Sequence, residues 1–177
     1  TNGKLVSYFK KYVQEKRQDW DFDFLSLRND SWTRSDFLQY DAVIHLAGVT
    51  ALPDDNYDAF YRINVDLTKR LFERAVRYKV KHFTYLSSMA VYDGIGWGFG
   101  KQGLIQKETK AIQKSNYGRS KFEAEDIIRN VDQNETNVAI VRAPSIVGGG
   151  IESYFERYIK FSKIPIIPIP WIHIEAK

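Results

Sequence analysis

Two residues in the second half of the chain have the types and the spacing that proton transfer at an alcohol requires. Tyr117 precedes Lys121 by four residues within SNYGRSKFEAEDII, residues 115–128. In a helix this spacing places both side chains on one face, about one turn apart. A nearby ammonium favours the phenolate, so we expect Lys121 to lower the pKa of Tyr117 toward the range for proton exchange near neutral pH. The pair indicates redox chemistry at an alcohol carbon, although many ordinary helices contain such a pair.

The patterns around this pair predict alternating strands and helices. An apolar stripe at helical spacing follows Lys121 and predicts a helix over residues 117–131. Strands are predicted where residues alternate or form short apolar runs, at residues 22–28, 41–46, 81–86 and 137–142. Further helices are predicted at residues 4–12, 35–40, 56–78 and 151–162. This order indicates an α/β fold with a doubly wound parallel sheet, covered by helices on both faces.

Small and hydroxyl-bearing residues follow the predicted strands. Ligands of such sheets bind beyond the carboxyl ends of the strands. The segments at those ends are Arg28, Ala47-Gly48, Ser87-Ser88 and Ala143-Pro144. The connector over residues 93–115 is rich in Gly and longer than a simple join requires, which is typical of a lid or binding loop. The sequence therefore predicts a ligand site at this edge of the sheet, near the start of the Tyr117 helix.

The composition excludes several classes of protein. The chain has 177 residues, 44% of them hydrophobic, which suffices for one core and one domain or slightly more. It has no Cys, and its three His are far apart, so we expect no disulfide and no metal. No leader and no apolar run of membrane-spanning length is visible, so we expect a cytoplasmic protein. The net charge of +4 is dispersed among acids, which argues against nucleic acid and suits an anionic small substrate.

Five motifs follow one another in an order that is typical of one enzyme family. They are HLAG (45–48), the helix that contains Asn64, LSSMAVYD (86–93), YGRSK (117–121) and RAPSIVGGG (142–150). With them the chain resembles the extended short-chain dehydrogenase/reductase superfamily, namely its NAD(P)-dependent nucleotide-sugar epimerases and dehydratases. The resemblance implies a Rossmann-type dinucleotide-binding domain over residues 1–150 and the start of a substrate-binding part over residues 151–177.

The resemblance also implies roles for individual residues. Tyr117 would be the acid/base, Lys121 would lower its pKa and hold the nicotinamide ribose, and Ser88 would hydrogen-bond the reacting oxygen. NAD or NADP would be the cofactor, and a nucleotide sugar would be the substrate. The residues that would contact the cofactor are Gly3, Arg28, Leu46, Ala47, Gly48, Asn64, Ser87, Tyr117, Lys121 and Ala143.

Some of these residues have simpler interpretations. Arg28 would favour NADP by contacting its 2′-phosphate, but an exposed Arg at a strand end is an equal alternative. Alternatively, Ser87 and Ser88 only cap the following turn, and Asn64 is a hydrogen-bonded polar residue in a helix that packs on the sheet. The resemblance also implies a homodimer through the two long helices, although packing on the sheet accounts equally for their apolar faces.

The sequence departs from the family pattern at two places. The family's first strand and its G-x-x-G-x-x-G phosphate loop are not found, and Thr1-Asn2-Gly3 resembles a remnant of that loop. The C-terminal substrate-binding part is also largely missing. We therefore expect that residues are missing from this sequence.

The motifs narrow the expected reaction. Related dehydratases have an Asp-Glu pair where this chain has Met89 and Ala90, which cannot transfer protons. The remaining reactions are epimerisation at C4 through a transient ketone and reduction of a 4-keto sugar. VYDG (91–94) resembles the reductases, whereas SSMAVY (87–92) and the triple Gly resemble the 4-epimerases, which we favour. A third hypothesis is a non-catalytic dinucleotide-binding sensor, but a pure binder has no need of Tyr117.

Overall fold

Three parallel strands form the sheet of this computed structural model, which describes residues 3–17, 19–95 and 104–146. The strands are β1 (Ala42–His45), β2 (His82–Ser88) and β3 (Asn137–Ala143), in the order β1-β2-β3. The register sets His45 opposite Tyr85, and Ser88 opposite Ala143. The carboxyl ends of β2 and β3 therefore meet at one edge, as the predicted strands over residues 81–86 and 137–142 required.

Helices follow each of the first two strands. After β1 come α2 (Tyr57–Phe60), a π-helical turn (Tyr61–Asp66) and α3 (Leu67–Arg77), which run on without a break and confirm the predicted helix. After β2 comes α4 (Asn116–Asn130), which confirms the helix predicted over residues 117–131. Short 3₁₀ turns lie at Asp30–Arg34, Phe37–Gln39 and Met89–Tyr92. Helix α1 (Lys4–Lys16) belongs to a separate unit from residues 19–144 and extends four residues beyond its predicted end.

The main core lies between the sheet and helices α3 and α4. Along β2 every second side chain is buried, so that Phe83, Tyr85 and Ser87 share the covered face. Phe72 of α3 meets Phe83 edge to face at 4.9 Å between ring centroids. Ile128 of α4 is fully buried in the same cluster. Burial of each such large side chain contributes about 1.5–3 kcal/mol to stability. The apolar stripes of α3 and α4 thus pack against the sheet of the same chain.

The predicted strand over residues 22–28 is wrong. These residues run without helix or strand, and within the described part of the chain no strand pairs with them. The alternation that indicated a strand instead places Trp20, Phe22 and Phe24 in a row, with ring centroids 5.5 and 6.4 Å apart. A strand needs a hydrogen-bonded neighbour, and alternation alone does not supply one. Arg28 consequently does not lie at a strand end.

Several predictions concern residues outside the described ranges. They are the helix over residues 151–162, the triple Gly, the C-terminal tail and the glycines of the long connector beyond residue 95. The division into domains at residue 150 therefore stays a prediction. Within the described ranges, no helix is both long and apolar enough to cross a membrane. The same ranges contain no cluster of three metal-ligating side chains.

Candidate functional site

The start of α4 is fixed by hydrogen bonds to the turn that follows β2. Ser115 is the N-cap, and its Oγ accepts a hydrogen bond from the backbone N–H of Gly118 at 2.9 Å. Asp93 accepts hydrogen bonds from the backbone N–H groups of Lys114 (2.5 Å) and Ser115 (3.2 Å), and from the Ser115 hydroxyl. One carboxylate thus joins the end of the turn to the first residues of the helix.

Gly118 allows the helix to lie directly against this turn. A Cβ atom at Gly118 would lie 2.3 Å from the carbonyl oxygen of Ala90 and 3.1 Å from Oδ2 of Asp93. No side chain fits at the first distance, because the obstacle is backbone. This close approach brings the first turn of α4, including Tyr117, to the end of β2, where Ser88 stands.

Tyr117 and Ser88 interact through their side chains. Burial raises the pKa of Tyr117, and a hydrogen bond with Ser88 partly opposes that shift. The pKa of Tyr117 is therefore raised in this structure, which is opposite to the direction expected from a neighbouring Lys121. Ser88 also caps the 3₁₀ turn, since its Oγ accepts a hydrogen bond from the Ala90 N–H at 3.1 Å. The two interpretations of Ser88 are thus compatible.

Lys121 presents a buried ammonium at the same edge of the sheet. The residue is 4% exposed, and its Nζ lies 4.4 Å from the centroid of the Tyr85 ring. The described residues give this ammonium no hydrogen bond and no ion pair. Burial lowers the pKa of Lys121 to about 8, whereas the charge of Glu125 acts in the opposite direction. The ammonium of Lys121 thus lies against the Tyr85 ring, and burial rather than Lys121 sets the direction of the Tyr117 pKa shift.

Gly48 and Asn64 lie beside Lys121. A Cβ atom at Gly48 would lie 3.1 Å from Oδ1 of Asn64 and 3.6 Å from Nζ of Lys121. Asn64 is buried in the π-helical turn, where it donates hydrogen bonds to the Val49 carbonyl and to Oγ of Ser120, both at 2.9 Å. Its Oδ1 accepts from the Val49 N–H at 2.8 Å. Asn64 is therefore a satisfied polar residue that fixes the segment after β1.

Three of the remaining predicted cofactor contacts lie at the carboxyl edge of the sheet, and the other three have a different setting. Leu46 and Ala47 follow β1, and Ala143 ends β3 opposite Ser88, so these three lie at the carboxyl edge. The hydroxyl of Ser87 is buried and donates to Glu125 at 2.5 Å, which leaves only its backbone for a ligand. Arg28 is exposed in an irregular segment, and Gly3 lies in the separate unit with α1.

His45, the last residue of β1, is a buried neutral base beneath this site. Its Nε2 lies 2.8 Å from Oγ1 of Thr68, and its ring stacks on Tyr85 at 5.5 Å. Burial, assisted by the charge of Lys121, lowers the pKa of His45 to about 3. In the unfolded chain His45 has a pKa of 6.5, so between pH 6.5 and about 3 His45 is protonated in the unfolded chain and neutral in the folded chain. This part of the stability is present above pH 6.5 and is lost as the pH falls.

We therefore predict that His45→Gln makes the free energy of unfolding less sensitive to acid. Between pH 7 and pH 4 the wild type is expected to lose on the order of 2–3 kcal/mol through His45, and the variant should lack this loss. Urea unfolding at both pH values measures the effect. His82→Gln, which removes an exposed His on the neighbouring strand, is the matched control because it leaves His45 in place. Equal acid sensitivity in all three proteins would contradict the prediction.

Comparison with known proteins finds one family model and several relatives. The model of the NAD dependent epimerase/dehydratase family matches residues 5–163. UDP-glucose 4-epimerase 2 of Arabidopsis thaliana is 28% identical over 136 residues, which are 75% of this chain and 37% of the plant protein. The chain therefore spans well under half of that relative.

Solved structures share the fold. A dTDP-4-dehydrorhamnose reductase of Clostridium acetobutylicum superposes with a TM-score of 0.65 and 23% identity, over 92% of this chain and 57% of that one. A UDP-glucuronic acid 4-epimerase of Bacillus cereus, in complex with NAD, gives a TM-score of 0.57 and 21% identity, over 81% of this chain and 45% of that one. The three-stranded parallel sheet is thus part of a Rossmann-type α/β fold, as the sequence predicts.

Proposed function

Since the chain belongs to the NAD dependent epimerase/dehydratase family, we propose that it binds NAD or NADP and epimerises a nucleotide-activated sugar at C4 through a transient 4-keto sugar. The observation that carries the proposal is the ammonium of Lys121. The Lys121 residue is 4% exposed, its ammonium has no hydrogen-bond partner in the described residues, and its Nζ lies 3.6 Å from where a Cβ atom of Gly48 would stand. The Tyr117–Ser88 pair stands at the same edge of the sheet.

The residues present fit the nicotinamide end of a dinucleotide. The ammonium of Lys121 makes no hydrogen bond within the described residues, so its donors are available, and ribose hydroxyls are suitable acceptors for them. The absence of a side chain at Gly48 keeps the approach to Lys121 open, since a Cβ atom there would lie 3.6 Å from its Nζ. Asn64 supports this surface without blocking it, because all its polar atoms already bond within the chain.

Each residue has a definite task in the proposed reaction. When bound, NAD or NADP would supply the hydride acceptor and donor for a sugar carbon. Tyr117 takes the proton of the C4 hydroxyl as the carbonyl forms and gives it back when the carbonyl is reduced. Ser88 donates a hydrogen bond to the carbonyl oxygen. Burial keeps Tyr117 protonated at neutral pH in the ligand-free protein, so accepting the hydroxyl proton requires the pKa of the phenol to be lower when cofactor and sugar are bound.

The dehydratase reaction is not part of the proposal. Removing water from the sugar needs a second acid/base pair after the hydroxyl residue, and this chain has Met89 and Ala90 in the turn there. The side chains of Met and Ala hold no exchangeable proton. The homodimer implied by the resemblance stays a prediction.

Reduction of a 4-keto sugar with NADPH is the second candidate. The raised pKa of Tyr117 favours it, because a protonated phenol is the form that donates a proton to a carbonyl oxygen as hydride arrives. Epimerisation uses the same donor in its second half. The two reactions therefore share the site and differ in whether the hydride comes from the sugar itself.

A panel of substrates tests the proposal. The purified protein is incubated with NAD or NADP and with UDP-glucose, UDP-galactose or UDP-glucuronic acid, and separately with NADPH and a dTDP-4-keto sugar. Epimer formation without net cofactor change supports the epimerase. Stoichiometric loss of NADPH with the keto sugar supports the reductase. If neither occurs while NAD still binds, the enzyme hypothesis is overturned in favour of a sensor.

The low pKa of Lys121 makes a further prediction about cofactor binding. An ammonium with a pKa of about 8 is mostly charged at pH 7 and mostly neutral at pH 9. NAD affinity is therefore expected to fall by up to about tenfold between these values. Titration calorimetry at both pH values measures it. Lys121→Met should bind more weakly and with little pH dependence, whereas a wild-type affinity that does not change with pH would contradict the assignment.

A further inference from the structure

Glu125 carries a buried charge one turn beyond Lys121. Its side chain is fully inaccessible to solvent, and its carboxylate accepts hydrogen bonds from three residues. Ser87 Oγ lies at 2.5 Å, Arg129 Nη2 at 2.7 Å, and Arg142 Nη2 and Nε at 2.6 and 3.0 Å. Burying a carboxylate is costly unless it is paired and hydrogen-bonded, and here it is both.

The partners of Glu125 connect α4 to the ends of two strands. Ser87 directly precedes Ser88 on β2. Arg142 lies opposite Ser87 in the register of β3 and directly precedes Ala143. The guanidinium of Arg142 also contacts the hydroxyl of Tyr92 and lies 4.9 Å from the centroid of its ring, in the turn after Ser88. The carboxylate of Glu125 thus bonds the residue before Ser88 on β2 and, through Arg142, the end of β3 and the turn after Ser88.

The charge state of Glu125 is well defined. Burial acts to raise its pKa, but hydrogen bonds from Arg142, Ser87 and Arg129 outweigh burial, so the pKa of Glu125 is lowered. The carboxylate is therefore anionic near neutral pH. Its negative charge in turn acts to raise the pKa of Lys121 against the effect of burial.

We propose that Glu125 is a positioning residue for the reaction proposed above: acting through Ser87 and Arg142, it holds the helix of Tyr117 and Lys121 in register with Ser88. This inference rests on the proposed function. Tyr117 belongs to α4 and Ser88 to β2, and the contacts of Gly118 fix only the first turn of the helix against the strand end. Glu125 supplies the second fixed point, two turns along α4. A second point matters because a small misplacement of a catalytic group reduces the rate strongly.

The test compares variants that remove one part of this connection at a time. Glu125→Gln keeps the size but loses the charge, Ser87→Ala removes only the link to β2, and Arg129→Ala removes only the half-exposed partner. We expect kcat to fall by about 10- to 100-fold in Glu125→Gln and by about fivefold or more in Ser87→Ala. KM and NAD affinity should stay within about threefold, and Arg129→Ala within about twofold of wild type in every parameter.

Two readouts separate positioning from a merely structural role. The alkaline limb of the pH–rate profile should move to lower pH in Glu125→Gln, because Lys121 loses the carboxylate that raises its pKa. In the ligand-free protein the pKa of Tyr117, from absorbance differences against Tyr117→Phe, should rise in Ser87→Ala as the phenol loses Ser88. Loss of stability alone moves neither quantity.

The outcomes distinguish this inference from the proposed function. If the wild type turns over no nucleotide sugar, the proposed function fails, and the Tyr117 titration in Ser87→Ala still decides the inference. If the wild type is active and Glu125→Gln is folded with unchanged kcat, the inference fails and the function stands. Should Glu125→Gln not fold, Ser87→Ala decides, and wild-type kcat together with an unshifted Tyr117 pKa would overturn the proposal.

Discussion

Replacing Tyr117 by Phe is expected to lower kcat for the nucleotide sugar by at least about 100-fold, within the range that general acid–base catalysis contributes. The substitution removes one oxygen atom and leaves the ring that packs at the start of α4. It abolishes the proton transfer to and from the C4 oxygen, and it removes the partner of Ser88. NAD affinity should change less than about threefold, because Lys121 and the surface at Gly48 remain. Steady-state kinetics and titration calorimetry measure both.

Tyr57→Phe is the matched control for this substitution. Tyr57 also lies against α4, where its hydroxyl bonds the carboxylate of Glu123 and its ring packs under Arg119, with Arg119 Cζ 3.9 Å from the ring centroid. This contact has no link to Ser88 in the structure, so kcat should stay within about twofold of wild type. Turnover that survives in Tyr117→Phe would remove Tyr117 from its proposed role, whatever the control shows.

Gly118→Ala is expected to destabilise the fold by about 2–3 kcal/mol or more, because overpacking against rigid neighbours costs that much. In an exposed helix the same substitution stabilises by about 1 kcal/mol, so here the sign is reversed. The added Cβ would lie 2.3 Å from the carbonyl oxygen of Ala90. To relieve this contact, either the first turn of α4 or the turn after β2 must move, and either movement separates Tyr117 from Ser88. Activity should therefore fall together with stability.

Urea unfolding of wild type and Gly118→Ala measures the change in the free energy of unfolding. Asp126→Ala, on the exposed face of the same helix, is the control and should stay within about 0.5 kcal/mol, because it removes only an exposed 3.5 Å ion pair with Arg129. A stabilised Gly118→Ala variant with unchanged kcat would show that the close approach to Ala90 does not hold the helix in place.

Much of the fold follows from short-range patterns in the sequence. The short apolar runs predicted β2 and β3, and in the structure β2 buries every second side chain, whereas β3 alternates between exposed and half-buried residues up to Val141. The two-residue period along β2 also implies that Ser87 and Ser88 point to opposite faces, and in the structure Ser87 is buried whereas Ser88 is half-buried. The same period wrongly predicted a strand around Phe22 and Phe24, because strand pairing depends on a neighbouring strand that the local sequence does not reveal.

The electrostatics of the site could not be predicted in the same way. Spacing places Tyr117 and Lys121 on one helical face, but the direction of a long, flexible side chain depends on what it packs against. Here the ammonium of Lys121 packs over the ring of Tyr85, and burial is the main cause of the raised pKa of Tyr117. A signal for Glu125 was present: it is an acid within the apolar stripe of α4. A charge on a buried helical face requires partners, and Arg142, the cation in the run NVAIVR of β3, has the complementary charge.

The central claim is that a hydride leaves C4 of the sugar and returns to it, while Tyr117 accepts and returns the proton of the C4 hydroxyl. Its most direct test uses the nucleotide sugar that the panel identifies, deuterated at C4, with NAD in ordinary water and NMR of both epimers. We predict that deuterium stays at C4 in substrate and product and that turnover depends on NAD and on Tyr117. Replacement of the C4 deuterium by solvent hydrogen, or epimerisation without NAD, would contradict the account.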